Sequence, residues 1–269
     1  FKGKSLKREY FKQIGADVKL YKGVTSWFSK MNEYAEKKGI ELEHYIISSG
    51  LKEIIEGSKI SNCFKRIYAS SYLYSTDGIA EWPAQAINYT NKTQYIFRIA
   101  KGCLEEYDEK VNDSMPDKKL RIPYENIVYI GDSATDIPCM RLVKSKGGYS
   151  IGVYDPVKDN RAKVYQLFND GRLSFYAPAD YSTKSDISKY MKQIIDVQTA
   201  HTKATAHAFD FSWHYQSGFY SPQGVKTLDA LWEKALNADV TEEQMFNIEK
   251  DQYDLPVYEQ VMKLYDDIH

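Results

Sequence analysis

Between residues 43 and 197, short apolar runs that end at small or acidic residues alternate with stretches of helical period, and this alternation limits the possible folds most. Residues 43–50 (EHYIISSG) read as a strand that breaks at Ser48-Ser49-Gly50, and residues 126–130 as a strand running into Gly131 and Asp132. Further strands are expected at 149–153 and near 174–177, and a strand with a hairpin within 64–90, turning at Thr76-Asp77-Gly78. Helices are expected from Val24 to Gly39, from Lys92, and over 134–145, 158–169 and 185–197. In the first of these, Val24, Trp27, Phe28, Met31, Tyr34 and Ala35 share one face. In the second, Ile96, Ile99 and Leu104 face inward, and the polar residues 106–120 form a surface loop. Such alternation predicts an α/β fold, a doubly wound parallel sheet with helices on both faces. Ligands then collect beyond the carboxyl ends of the strands, where both "IISSG" and "IGDSATD" lie.

The flanking segments differ. Residues 5–14 look like the end of a helix closed by Gly15. After residue 200 the sequence is aromatic and polar without period, followed by helical patterns at 227–236, 241–249 and 255–267. These residues are expected to form a separate, mostly helical extension, suited to a lid or a homo-oligomer contact. The net charge of −1 over 269 residues gives no basic surplus for nucleic acid or an anionic membrane. The 3 cysteines, Cys63, Cys103 and Cys139, contain no CxxC pair and suit reduced thiols. No apolar run approaches the ~18–20 residues that span a bilayer, so a cytoplasmic protein is expected.

Chemistry concentrates at the strand tips. Ser48 offers a hydroxyl beside backbone N–H groups at a helix start, a setting that suits an anionic oxygen. Lys92 opens its own helix and could meet a phosphate as a point charge. Asp132 and Asp136 supply hard carboxylate oxygens of the kind Mg²⁺ takes. A plainer reading of "GDSATD" is a helix cap by Asp132 or Ser133, although a cap needs only one such residue. Lys101 rivals Lys92 but lies at a helix end, where cations are simply favourable. His201, His207 and His214 match no common ligand spacing.

In this order and spacing, "IISSG", Lys92 and "YIGDSATD" resemble the second, third and fourth motifs of the haloacid dehalogenase (HAD) superfamily. "LYKGV" resembles the segment by which such proteins return from a helical cap to the core. The resemblance spans residues 20 to about 197 and rests chiefly on the fourth motif. It implies a HAD-like Rossmannoid core and Mg²⁺-dependent hydrolysis of a small phosphorylated substrate through an aspartyl-phosphate. On that reading Ser48, Ser49, Gly50 and Lys92 bind phosphate, Asp132 and Asp136 hold the metal, and Ser48, Lys92 and Asp136 are catalytic. Asp136 either supports metal-bound water or orients Lys92.

The family's first motif, DxDx(T/V), which carries the attacking aspartate, is absent from the sequence. The nearest match is "AHAFDFSW", where Asp210 stands alone and Ser212 replaces the second aspartate. The expected arrangement is therefore residues 1–19 as the tail of a helical cap, 20–199 as the core and 200–269 as the extension. Loss of the nucleophile strand should leave sheet edges exposed and this chain alone inactive. A non-catalytic HAD-like binding or scaffold module is the alternative.

Overall fold

The computed structural model describes residues 6–216 apart from Asp159, and of Lys118 and residues 207–216 only the backbone. The chain divides into two compact units, 1–199 and 200–269. The first carries β1 (Tyr45–Leu51), β2 (Arg66–Tyr74), β3 (Ala80–Gln85), β4 (Val128–Gly131), β5 (Tyr149–Tyr154) and β6 (Phe175–Pro178). Its helices are α1 (Arg8–Ala16), α2 (Val24–Glu36), α3 (Lys52–Glu56), α4 (Thr93–Lys101), α5 (Ile137–Ser145) and α6 (Arg161–Asn169). A last helix, α7, spans Asp186–Gln216. Among the described residues no helix is long and apolar enough to cross a membrane.

The fold is mixed α/β with parallel strands, as the alternation predicts, but the strands do not form one continuous sheet. They form two, ordered β1-β2-β3 and β4-β5-β6. The second is wholly parallel, with Gly131 opposite Gly152 and Ile151 opposite Phe175. In the first, β1 runs parallel to the opening half of β2, from Tyr45 opposite Arg66 to Ser48 opposite Ala69. The second half of β2 instead pairs antiparallel with β3, around the predicted turn, where Gly78 N–H donates to Ser75 C=O at 2.9 Å. Among the described residues the second edges of β1 and β4 have no strand partner.

Helices nonetheless cross from one sheet to the other. α4 sends Tyr95 and Ile99 into a cluster with Tyr68 of β2, and Ile96 and Ala100 into another with Tyr129 of β4. Ile47 of β1 touches both clusters. On the opposite face α2 packs Trp27 and Met31 on Ile151, Ala177 and α7, where Leu42, Val128 and Ile130 also lie. The ring of Phe28 meets His44, just before β1, at 4.9 Å. The two sheets therefore share a core above and below, and β1 and β4 are the inner strands of the pair.

Two glycines fix close approaches. Gly23 starts α2 at φ +84°, and a Cβ there would lie 2.5 Å from the backbone of Tyr181 and Ser182. That fit lets Lys22 C=O accept from Tyr181 N–H at 2.8 Å, seating residues 21–23 on the end of β6. Gly57 touches the backbone of α1, with Lys12 C=O only 2.0 Å from a notional Cβ. α1 thus packs on α3 and on the β2–β3 hairpin, where Arg8 N–H donates to Gly78 C=O at 2.9 Å.

The helix predicted over 185–197 is longer than the periodicity suggests. Residues 201–216, read as aperiodic, continue α7 to Gln216. Ala- and Lys-containing sequence with no Gly or Pro before Gly218 supplies helix propensity where the apolar period fades. The patterns at 227–236, 241–249 and 255–267 lie outside the described residues.

The Gly57 contact makes a stability prediction. Ala normally stabilises relative to Gly at an ordinary φ, yet Gly57→Ala should lower stability by about 1–3 kcal/mol through overpacking. Urea unfolding measures this, and an unchanged or raised midpoint would show that α1 does not rest on α3 in solution.

Candidate functional site

The carboxyl ends of β1 and β4 are connected through hydrogen bonds and the turn that delivers Lys92 to Asp136. Beyond β4 the chain makes a 3-10 turn at Ala134–Asp136 and enters α5, with Pro138 in the first turn. Ser133 and Asp136 form a reciprocal capping box, so the cap falls to Ser133 and not Asp132. Asp136 is turned inward, 6 % exposed, and both of its carboxylate oxygens are engaged. Oδ1 accepts from Lys92 Nζ at 2.7 Å and from the Tyr129 hydroxyl at 2.8 Å. Oδ2 accepts from Ser133 Oγ at 2.9 Å and Ser133 N–H at 3.2 Å. Burial pushes this carboxyl up, but the Lys92 bond and charge, with Tyr129 and Ser133, outweigh it and hold the group below its ordinary range.

Lys92 is the other half of a buried pair, 4 % exposed at the entry to α4. Its second neighbour is Thr135 Oγ1 at 3.4 Å. Its rival, Lys101, instead donates to the carbonyls of Val111 at 2.7 Å and Asp113 at 2.6 Å, fastening the loop beyond α4.

Ser48 precedes an irregularity in β1, after which Leu51 pairs with Ser70, and the Ser48 Oγ accepts from Gly50 N–H at 3.0 Å. Ser49 and Gly50 are exposed. A Cβ on Gly50 would meet only Ser48 Oγ, so the backbone is open to an approaching group. No direct bond joins Ser48 to Lys92 or Asp136 among the described residues. The link runs through Ser49 C=O, which accepts from Ser70 Oγ at 3.3 Å, and Ser70 Oγ accepts from Ile87 N–H at 2.9 Å. Residue 87 leads into the turn that delivers Lys92, with Lys92 N–H donating to Asn88 C=O at 3.2 Å.

Asp132 differs from Asp136 in every respect. It is exposed and lies toward the phenols of Tyr21 and Tyr181. The Tyr181 hydroxyl is pushed up to about 12, by burial first and then by the Asp132 charge. The Tyr21 hydroxyl is raised by burial, then by the charges of Asp155 and Asp132. Tyr21 and Tyr181 sit together because Gly23 seats their segments against each other.

Of the predicted site residues, the structure gathers Lys92 and Asp136 into one buried network and leaves Asp132, Ser48, Ser49 and Gly50 around it. The expectation of Asp136 as a metal ligand meets a physical obstacle: neither carboxylate oxygen is unengaged. The geometry supports its other expected part, orienting Lys92. Sequence reasoning missed Tyr129, counted only as part of an apolar strand, although a buried tyrosine hydroxyl requires a partner. It also missed Thr135, Tyr21, Asp155 and Tyr181. Cys139 is fully buried, with a thiol pushed up to about 11 by burial, a structural rather than reactive setting. Among the described residues no group of three or more His, Cys, Asp or Glu side chains could hold a metal ion by itself.

No family model matches the chain. A protein of Borreliella burgdorferi, strain ATCC 35210 / DSM 4680 / CIP 102532 / B31, named only as uncharacterized, is 27% identical over 199 residues. The alignment covers 68% of this chain and 68% of that protein, and its name carries no activity.

The buried pair dictates an acid response. Because the Asp136 pKa is depressed in the folded state, its stabilisation is full above the unfolded value of about 3.9 and disappears as pH falls through the folded value. His44, pushed down to about 4 by burial, acts in a different window, losing stability as pH falls from about 6.5 to 4. Asp136→Asn should therefore reduce the acid loss below about pH 4, where Asp180 and Glu43, also held low in the folded state, keep their own contributions, and leave the His44 limb. Lys92→Met alone should cost about 3–5 kcal/mol by stranding a buried carboxylate, and adding Asp136→Asn should restore part of it. Urea melts across pH measure both effects; a Lys92→Met loss below 1 kcal/mol would mean the pair is solvated.

Proposed function

We propose that this chain is a HAD-type, Mg²⁺-dependent phosphatase module acting on a small phosphorylated substrate. The supporting observation is the division of labour at the strand ends: a buried lysine clamped by Asp136, beside an exposed Asp132 and an open Ser48 turn. Two strand-to-helix turns opening at one end, with helices on both faces, also suit the doubly wound HAD-like core.

Each group has a chemical part. Ser48 Oγ already accepts from Gly50 N–H, so its hydroxyl hydrogen is free to donate to a phosphoryl oxygen. The exposed backbone of Ser49 and Gly50 widens that cradle. The Lys92 ammonium has three donors, directs them toward Asp136 and Thr135, and retains one for an incoming anion. Asp132 would hold Mg²⁺, which neutralises charge between this carboxylate and the phosphoryl group. Its donor chemistry fits, since Mg²⁺ takes one or two carboxylates and completes its shell with water and phosphate. Lys92 and Ser48 would then stabilise charge on the transferring group, which is most of the work in phosphoryl transfer.

One observation favours the alternative, a non-catalytic module that retains the phosphate and cation side alone. Asp210, the nearest match to an attacking aspartate, lies inside α7 and not at a strand tip.

Calorimetric titration with inorganic phosphate separates the readings. Phosphate binding should require Mg²⁺ and weaken about tenfold or more in the exposed Asp132→Asn and in the half-buried Ser48→Ala, each a change of one polar group that leaves the core untouched. Phosphate binding indifferent to Mg²⁺ and to Asp132 would refute the site. Turnover of p-nitrophenyl phosphate with Mg²⁺, abolished by Asp132→Asn, would show that the chain carries its own nucleophile and exclude the non-catalytic module.

A further inference from the structure

The hydrogens around Lys92 and Asp136 can be assigned one by one. Asp136 is held below its ordinary range, so it is ionised near neutral pH and its oxygens only accept. Oδ1 takes the Tyr129 hydroxyl hydrogen at 2.8 Å and one Lys92 hydrogen at 2.7 Å. Oδ2 takes the Ser133 hydroxyl hydrogen at 2.9 Å. A serine has a single hydroxyl hydrogen, and that bond uses it. The 2.7 Å contact between Ser133 Oγ and Thr135 Oγ1 is therefore made with the Thr135 hydrogen, Thr135 donating and Ser133 accepting. Thr135 then offers only lone pairs to Lys92, whose second hydrogen it accepts at 3.4 Å. The side chains close a ring of fixed polarity: Lys92 donates to Thr135, Thr135 to Ser133, Ser133 to Asp136, and Lys92 to Asp136.

We infer that Thr135 is a positioning residue for phosphate: its hydroxyl, set as an acceptor by Ser133, aims the remaining hydrogen of Lys92. The inference rests on the phosphate-binding reading of the Ser48 turn and Lys92. A single bond to Asp136 would leave the ammonium free to swing about the line from Nζ to Oδ1. A second acceptor at a different angle stops that swing, and in a tetrahedral ammonium two fixed hydrogens fix the third. That third hydrogen has no partner among the described residues.

The ion pair itself has little need of this bond. Tyr129 and Ser133 already satisfy the carboxylate, so the contact with Thr135 adds direction more than stability. Lys92 is 4 % exposed, which leaves little room for water to supply the second acceptor. Thr135 lies in the 3-10 turn Ala134–Asp136, between the two partners of the capping box, so its oxygen is placed before any ligand arrives. Preorganisation of this kind is what positions a transferring group.

Two measurements on the full chain test the inference. With ¹⁵N-lysine, Lys92 Nζ should give a slowly exchanging ammonium signal, identified by its absence from Lys92→Arg. Thr135→Val, which keeps the shape and removes the acceptor, should shift or broaden that signal, and Thr135→Ser should restore it. In calorimetric titration with inorganic phosphate and Mg²⁺, Thr135→Val should weaken binding about three- to tenfold, and Thr135→Ser by no more than about twofold. An unmoved Lys92 signal in Thr135→Val would overturn the proposal; weakened binding beside it would mean that Thr135 meets the phosphate itself. A moved signal with unchanged binding would overturn it too, as would failure of serine to restore both. Absence of a slowly exchanging Lys92 signal from the unaltered chain would show that the ring does not hold the ammonium. Failure of the unaltered chain to bind phosphate would instead refute the phosphate site, and the inference with it.

Discussion

The buried pair of Lys92 and Asp136 sets the position of almost everything else at the strand ends. Two charges removed from water lose several kcal/mol of hydration each, and their attraction offsets this only when the remaining lone pairs are satisfied. Here they are: Tyr129 and Ser133 complete the carboxylate, and Thr135 adds to the ammonium. Such a pair contributes little net stability but defines one arrangement, because any displacement of α4 strands a charge. α4 also carries Tyr95 against Tyr68, stacked at 4.6 Å, so the same helix that holds Lys92 is registered on β2. One ion pair thereby fixes the first sheet relative to the second.

That role matters because, among the described residues, no strand pairing joins the two sheets. A continuous sheet would transmit register through its ladder; here register passes through α4 on one face and α2 on the other. α2 is itself held by the Trp27 indole, which donates to Ser188 Oγ at 3.1 Å, and Ser188 Oγ donates to Ser182 C=O at 2.8 Å. Side-chain packing of this kind is easier to open locally than a strand ladder. The inner strands, with half-covered apolar residues, are where opening should begin.

Much of this architecture was legible in the sequence. Apolar runs ending at Ser48 and Gly131 gave the strands β1 and β4, since a parallel strand covered on both faces needs no alternation. Thr76-Asp77-Gly78 gave the hairpin, and the α4 stripe gave its inner face. The reach of α7 was not legible, because propensity without periodicity is a weak signal. Nor were the separate duties of Asp132 and Asp136. Both are acidic, close in sequence and beyond the same strand, and only the 3-10 turn decides that one faces inward to Lys92 and the other out to water. Tyr21 and Tyr181 were hidden for another reason. They are brought to Asp132 by the fit of Gly23 against a segment far away in sequence.

The charges at this end of the molecule also impose an order on any anion that binds there. Lys92 is the buried cation of the site, yet Asp136 already neutralises it at 2.7 Å. Lys22, next to Tyr21 in the sequence, is similarly committed to Asp180 at 3.0 Å. Asp132 remains exposed, and its negative charge acts on the Tyr21 and Tyr181 phenols strongly enough to contribute to raising both. An anion approaching the Ser48 turn therefore meets uncompensated carboxylate charge, and two anions at close range repel unless a cation lies between them. On the phosphoryl-transfer reading, the cation must arrive before or with the phosphate. Ser48 and Lys92 would then act on a group whose charge is already partly offset, where their directional hydrogen bonds, more than bulk attraction, determine its placement.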